Sequence, residues 1–292
     1  MTDDVPVPLP GGWASHVVRA GDTVRRPVRP STPAVHALLR HLEDAGFDGA
    51  PRVLGIDGDG REVLSYVDGE TVGGAEPWPE WTRTDETLVS AGRLLRRFHD
   101  AVAGFRPPPG AVWMSGGRLG PGKVVCHNDA SPHNFVHRDG AVRAFIDWDL
   151  AGPRDPRRDL ALMAWQTVPL YHPELCARIG WRAAPEVERR LRLLMDAYGP
   201  VERAGFADVI RDRIRESRDG ILAGAAAGDD VHVRLAAAGV ADDMTATLAY
   251  VTAHADRILR ALTDHPPDET ATVHRARPAT HRTRPDRPPD ET

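Results

Sequence analysis

Three side chains between residues 123 and 149 stand at spacings that suit the transfer of a phosphoryl group. Asp129 precedes Asn134 by five positions, and Asn134 precedes Asp147 by thirteen. The apolar runs Phe135-Val136 and Val142 to Ile146 are separated by Asp139-Gly140, a dipeptide that favours the tight turn of a β-hairpin. Folded that way, Asn134 returns beside Asp147. A carbonyl oxygen and a carboxylate can then share one Mg²⁺, which takes one or two protein oxygens and completes its shell with phosphates and water. Asp129, on the loop before the hairpin, faces whatever lies above the ion, where an aspartate can orient an acceptor hydroxyl and take its proton. Asp149, on the same strand face as Asp147, adds a further candidate metal oxygen.

Neighbouring residues read as support. His127 belongs with Asp129 in the catalytic set, holding backbone geometry rather than titrating. Asp159 reads as a buried carboxylate accepting N–H bonds from the catalytic loop, and Asp155, before Pro156, as a turn residue. His133, His137 and Cys126 tempt a zinc reading. Pro132 and the strand after Asn134 exclude the helix that would set an i, i+4 histidine pair on one face.

The elements that must position these groups follow from patterning. His16 to Arg19 and Thr23 to Arg26 read as strands around a Gly21-Asp22 turn, with Gly11-Gly12 ahead of them; backbone N–H groups near Gly12 are candidates for phosphate contact. Residues 33–45 carry Val35, Leu38, Leu39 and Leu42 at helical spacing, with Pro33 near the start and Gly46 at the close. Pro51 to Ile56 and Glu62 to Val67 are two further strands. From Thr84 to Val102 an amphipathic stripe runs through Leu88, Leu95 and Phe98. A helix from Asp159 to about Val168 and others near 185–198, 203–222, 229–238 and 241–262 complete the chain. The expected organisation is a small N-terminal lobe over 1–68, a helical lobe over 69–264, and a disordered Pro/Arg-rich tail over 265–292, where six prolines and few large apolar residues leave nothing to bury.

Bulk composition narrows the class. The chain has 292 residues and a net charge of −5, with no basic footprint for nucleic acid. No apolar run approaches the roughly 18 residues of a membrane span, and no signal peptide is evident. Two cysteines are too few for a disulfide framework, so a reducing cytoplasm is the expected location. Lys123 is the sole lysine.

His-Asn-Asp-Ala-Ser-Pro-His-Asn at 127–134, followed by Ile-Asp-Trp-Asp at 146–149, resembles the catalytic signature of the aminoglycoside phosphotransferase and choline-kinase-like family. The resemblance extends from residue 11 to about 262. It implies an α+β, bilobal protein-kinase-like fold with ATP or GTP and Mg²⁺ bound between lobes. It also implies Asp129 as catalytic aspartate, Asn134 and Asp147 as metal ligands, and a base-binding hinge near Ser65 to Asp68, including Val67. The acceptor would be a hydroxyl of a small molecule such as an aminoglycoside, amino alcohol or sugar.

One departure stands out. Members of the kinase fold hold the nucleotide phosphates with a lysine on the third strand, oriented by a glutamate on the next helix. Here no lysine precedes residue 123, and positions 34–37 are Ala, Val, His and Ala. The role falls to Arg25 or Arg26, with Arg26 favoured because Val24 shares its strand face; arginine can grip phosphate through two parallel bonds. The alternative reading is a catalytically weak, pseudokinase-like protein that binds a nucleotide or metabolite. Glu174, Asp229, Asp230 and Asp256 are candidates to meet amines of an acceptor, and each also suits a solvated helix position.

Overall fold

The computed structural model describes residues 6–9, 17–74 and 76–263. Gly12, the strand start at His16 and the segment 265–292 lie outside the described residues. Five antiparallel strands form the N-terminal sheet: β1 (Val7–Pro8), β2 (Val18–Ala20), β3 (Thr23–Pro27), β4 (Val53–Ile56) and β5 (Arg61–Ser65), in the order β1-β2-β3-β5-β4. The β3–β5 register sets Arg26 opposite Glu62 and Val24 opposite Leu64. Cross-strand neighbours touch, so this register fixes the partner of Arg26.

Helix α1 (Thr32–Asp44) opens at a proline and buries Val35, Leu38, Leu39 and Leu42, as its spacing predicts; His36 is buried with them. The chain leaves the sheet at Ser65, whose backbone N–H and side-chain oxygen are both bonded to Arg52. Glu70 and His137 then exchange two backbone hydrogen bonds of 2.8 Å, which tie the crossing segment to the hairpin. Gly69, at φ +150°, sits where a Cβ would lie 2.6 Å from the Val136 side chain and 2.7 Å from the His137 carbonyl oxygen.

Beyond the crossing lies the helical lobe. Helix α2 (Asp85–Val102) begins where the Thr84 hydroxyl accepts the Thr87 N–H at 3.2 Å, an N-cap. Strand β6 (Val124–Cys126) leads into the catalytic loop. Strands β7 (Phe135–Arg138) and β8 (Ala141–Phe145) form the expected hairpin, with Asp139 and Gly140 both at positive φ in the turn. Strand β9 (Gly152–Arg154) pairs back onto β6, a contact the sequence did not announce. The helices are α3 (Arg157–Thr167), α4 (Pro173–Arg178), α5 (Val187–Tyr198), α6 (Phe206–Ala226), α7 (Asp230–Ala237), α8 (Val240–Ala253) and α9 (Ala255–Thr263). The helix expected over 241–262 is therefore two, broken at His254, and the short α4 was not foreseen.

Leu88, Leu95 and Phe98 of α2 are fully buried beneath the hairpin and the helices behind it, together with Phe135, Phe145 and Trp148. Each such side chain contributes about 1.5–3 kcal/mol by burial. This core is what fixes the hairpin in space. Gly69→Ala forces a methyl group into β7 at the crossing and should lower unfolding stability by roughly 1–3 kcal/mol in urea titrations. Unchanged stability would show that the crossing segment yields freely.

Candidate active site

The catalytic loop is held from beneath by one carboxylate. Asp159, fully buried on the first turn of α3, accepts the backbone N–H groups of His127 and Asn128 at 2.7 Å each and bonds His99 Nε2 at 3.2 Å. Burial alone would raise its pKa, but the His99 bond and the loop N–H donor of His127 hold it below the ordinary carboxylate value. Asn128 takes a left-handed conformation at φ 63°, which asparagine tolerates. Its amide donates to the carbonyl oxygens of Leu150 and Gly152 at 2.9 and 3.1 Å. His127 Nδ1 accepts the Asp129 N–H at 3.2 Å while Nε2 donates to the Ile146 carbonyl at 3.1 Å. Burial pulls His127 down to about 4, so the ring is neutral and bridges loop to hairpin without reaching the open face of the site.

The side chains singled out by spacing do converge. Asn134 Nδ2 donates to Asp129 Oδ2 at 2.7 Å and to the Asp129 carbonyl at 2.9 Å, which leaves its amide oxygen as a cation donor. Ile146 N–H bonds the Asn134 carbonyl at 2.9 Å, so Asp147 leaves the hairpin level with Asn134. Asp147 is left-handed at φ 59°, and its side chain is about half exposed (49%). Burial first, and then the Asp147 charge, push Asp129 up to about 7, against Arg213 and the Asn134 bond. The Asn134 amide oxygen and the Asp147 carboxylate are donors of the type that Mg²⁺ takes.

Asp149 differs from expectation. Residues 148–150 form a 3-10 turn rather than a strand, so Asp149 does not share a strand face with Asp147. Its two oxygens meet Arg26 Nη2 at 2.9 Å and Arg29 Nε at 3.0 Å. Both of its oxygens are thus engaged by arginines of the N-terminal segment.

Arg26 and Arg25 part as strand alternation requires. Arg26 pairs with Glu62 through Nε, and its Nη1 lies 3.5 Å from Asp147. Arg25 turns to Asp57 on the opposite face at 3.8 Å. Burial draws Arg26 down, but Asp149 and Glu62 outweigh it and hold the guanidinium above its ordinary value. Glu62 is 1% exposed and also bonds His36 Nε2 at 2.7 Å. The helix therefore provides a histidine where a glutamate was missing, and the carboxylate comes from the adjacent strand. Arg26, Glu62 and His36 form one chain of contacts.

The remaining candidates lie elsewhere. His133 packs its ring on Trp78 at 5.0 Å and His137 stacks on Trp81 at 4.7 Å, so neither joins Cys126. Among the described residues His99, Cys126 and Asp159 approach one another, but Asp159 and His99 spend their polar atoms on protein partners. Glu174 bonds His172, Asp229 caps α7, and Asp230 and Asp256 are exposed. Val67 lies in the crossing segment. Glu62, Arg29, Asn128 and Arg213 were not anticipated. Glu62 could have been found from the β3–β5 pairing, whereas Arg213 has no local signal.

A catalytic loop seated on a helical lobe, a hairpin returning Asn134 to Asp147 and a paired arginine on the small sheet together define a protein-kinase-like phosphotransferase. The pattern of the phosphotransferase enzyme family (APH) matches residues 6–114 and 111–194, and the chain belongs to that family. It is a small-molecule phosphotransferase. It is 40% identical over 207 residues, 68% of its length and 77% of the relative's, to the trifolitoxin immunity protein of Rhizobium leguminosarum bv. trifolii. Two solved structures share the fold. A choline/ethanolamine kinase family protein from Mesorhizobium loti superposes with a TM-score of 0.55 at 21% identity, over 89% of this chain and 93% of that one. The GDP complex of wild-type aminoglycoside 2'-phosphotransferase-IIIa gives 0.53 at 15%, over 90% and 94%.

The buried supports carry a pH signature. The folded His127 takes its proton only near pH 4, whereas an unfolded chain takes it near the ordinary 6.5. From this ring alone, stability is intact above pH 6.5 and falls by about 2 kcal/mol at pH 5, while Asp129, raised to about 7, takes its proton over the same range and works in the opposite direction. Urea unfolding at pH 7.5 and 5 should therefore show His127→Asn gaining about 2 kcal/mol relative to wild type on acidification. A difference between the two proteins that does not change with pH contradicts the assignment to this ring. Asp159→Ala leaves three donors unpaired and should cost about 3–5 kcal/mol in the same assay.

Proposed function

We propose that the protein transfers the γ-phosphate of Mg·ATP or Mg·GTP to a hydroxyl of a small molecule. The observation that carries this reading is the pairing of Asn134 with Asp129 on the catalytic loop and of Asp147 with Arg26 of the N-terminal sheet, with the Asp147 charge acting on Asp129. Asn134 and Asp147 would hold Mg²⁺, and Asp129 would orient the acceptor hydroxyl and accept its proton. Bound there, the ion supplies neutralisation of charge on the phosphates. Arg26, steadied by Glu62 and His36, would grip phosphate oxygens in place of the usual lysine. Arg29 would keep Asp149 engaged when Arg26 turns to phosphate. The crossing at Ser65 to Asp68 would take the base. Gly12 stays a candidate for phosphate contact on its sequence alone.

The name of the relative supports an acceptor of a particular kind. A member of this family that confers immunity to a toxin fits an enzyme that inactivates a hydroxylated toxin or antibiotic by phosphorylating it. A second reading, a nucleotide-binding protein without turnover, is favoured by one observation: Arg26 is engaged by Glu62, Asp147 and Asp149 at once.

Nucleotide consumption measured against a panel of hydroxylated antibiotics, sugars and amino alcohols separates the two. Wild-type protein should turn over at least one acceptor, and Asp129→Asn should reduce the rate roughly 10²–10⁴-fold while nucleotide still binds. Arg26→Ala should instead raise the nucleotide KM. Thermal stabilisation by Mg·ATP with no phosphorylated product on any acceptor supports the second reading.

A further inference from the structure

Arg213 is placed against the catalytic loop by α6, from the helical lobe and so from the side away from Arg26. Its Nη2 donates to the carbonyl oxygen of Asn128, the residue before Asp129, at 2.8 Å, and its Nη1 donates to Ser217. Both partners are neutral. Among the described residues no carboxylate pairs with Arg213 at bonding distance; Arg158 is paired with Glu216 and Arg215 with Asp212. The acidic residues of this stretch of α6 are thus matched to other arginines. Arg154, on β9, also donates only to carbonyl oxygens, those of Pro153 and Ser115.

A guanidinium has five N–H donors in a planar fork. Two nitrogens of Arg213 hold single neutral acceptors, so donors remain at the Asn128 carbonyl, one residue before Asp129. Burial lowers its pKa, yet Asp129 is the foremost charge sustaining the cation, and in turn Arg213 is the foremost influence keeping Asp129 from rising further. A polyamine brought to this part of the catalytic loop would meet a half-buried cation one residue from the catalytic aspartate. A carboxylate or phosphate would meet a fork shaped for it.

We propose that Arg213 is the anion-binding element of the acceptor site, and that the phosphorylated small molecule carries a carboxylate or phosphate close to its reacting hydroxyl. The proposal rests on the phosphotransferase reading above and deepens it by naming the acceptor's charge. No new bond chemistry is required. The acceptor hydroxyl oxygen attacks the γ-phosphorus, the bond to the β–γ bridging oxygen breaks, the nucleoside diphosphate departs, and the hydroxyl proton passes to Asp129.

The test has two arms. In the first, three sets of hydroxyl acceptors of similar size are compared by nucleotide consumption: sugar acids and sugar phosphates, neutral sugars and nucleosides, and amino sugars and amino alcohols. The anionic set should have the highest kcat/KM, and Arg213→Gln should raise the KM for its members roughly 10- to 100-fold, the range of a charge-assisted hydrogen bond, with the nucleotide KM unchanged. Arg213→Lys should recover part of the loss. Preference for the cationic set, or an equal loss for all three sets and for nucleotide, overturns the proposal, because a mere clamp on Asn128 moves everything together. The second arm needs no turnover. With Mg·ADP present, tartrate should raise the melting temperature of wild type more than equimolar glycerol or ethanolamine does, and Arg213→Gln should abolish the difference. Equal stabilisation of both proteins by tartrate overturns the proposal. Failure of the enzyme reading itself appears separately, as acceptor-independent behaviour identical in wild type and Asp129→Asn.

Discussion

A carboxylate with no solvent must be surrounded by donors, and Asp159 finds its donors in the catalytic loop. Two consecutive N–H groups, from His127 and Asn128, and the His99 ring converge on it. That demand explains the rest of the loop. Pointing both amides downward forces Asn128 into a left-handed turn, and the turn throws Asp129 outward beside Asn134. His127 then closes the gap to the hairpin through Ile146, and Arg213 closes the other side through the Asn128 carbonyl. Removing the anion would leave the loop without a reason to hold this shape.

The small lobe solves a different problem. Phosphate needs a positioned cation, and a buried cation needs a partner. Where the kinase fold carries a lysine held by a helical glutamate, this chain places Arg26, held by Glu62 across the β3–β5 register, with His36 of α1 on the far oxygen of that carboxylate. The helix remains coupled to the cation, but through an intermediary. Arginine suits this arrangement because one edge of its fork can rest on Glu62 while the other faces the opening.

Much of this was legible in the sequence. Local signals revealed the hairpin, because Asp139-Gly140 dictates its turn whatever surrounds it, and the hairpin alone brings Asn134 to Asp147. The apolar periodicities of α1 and α2 were equally plain. What failed were features settled by tertiary contact. Asp149 looked like a strand residue, but Trp148 is drawn into the core beneath α2 and the backbone winds into a 3-10 turn. Glu62 was invisible as a partner of Arg26 until the two strands were known to pair. Arg213 lies 84 positions beyond Asp129 on an amphipathic helix, where nothing nearby distinguishes it from the other arginines of α6.

The central claim is that Asn134, Asp147 and Arg26 together receive a magnesium nucleotide. Calorimetric titration of ATP and GTP into the wild-type protein, with and without Mg²⁺, and into Asp147→Asn tests it most directly. The account predicts binding that depends on Mg²⁺ and loses that dependence in the variant. Nucleotide binding of equal strength in all three conditions, or none in any, would contradict it.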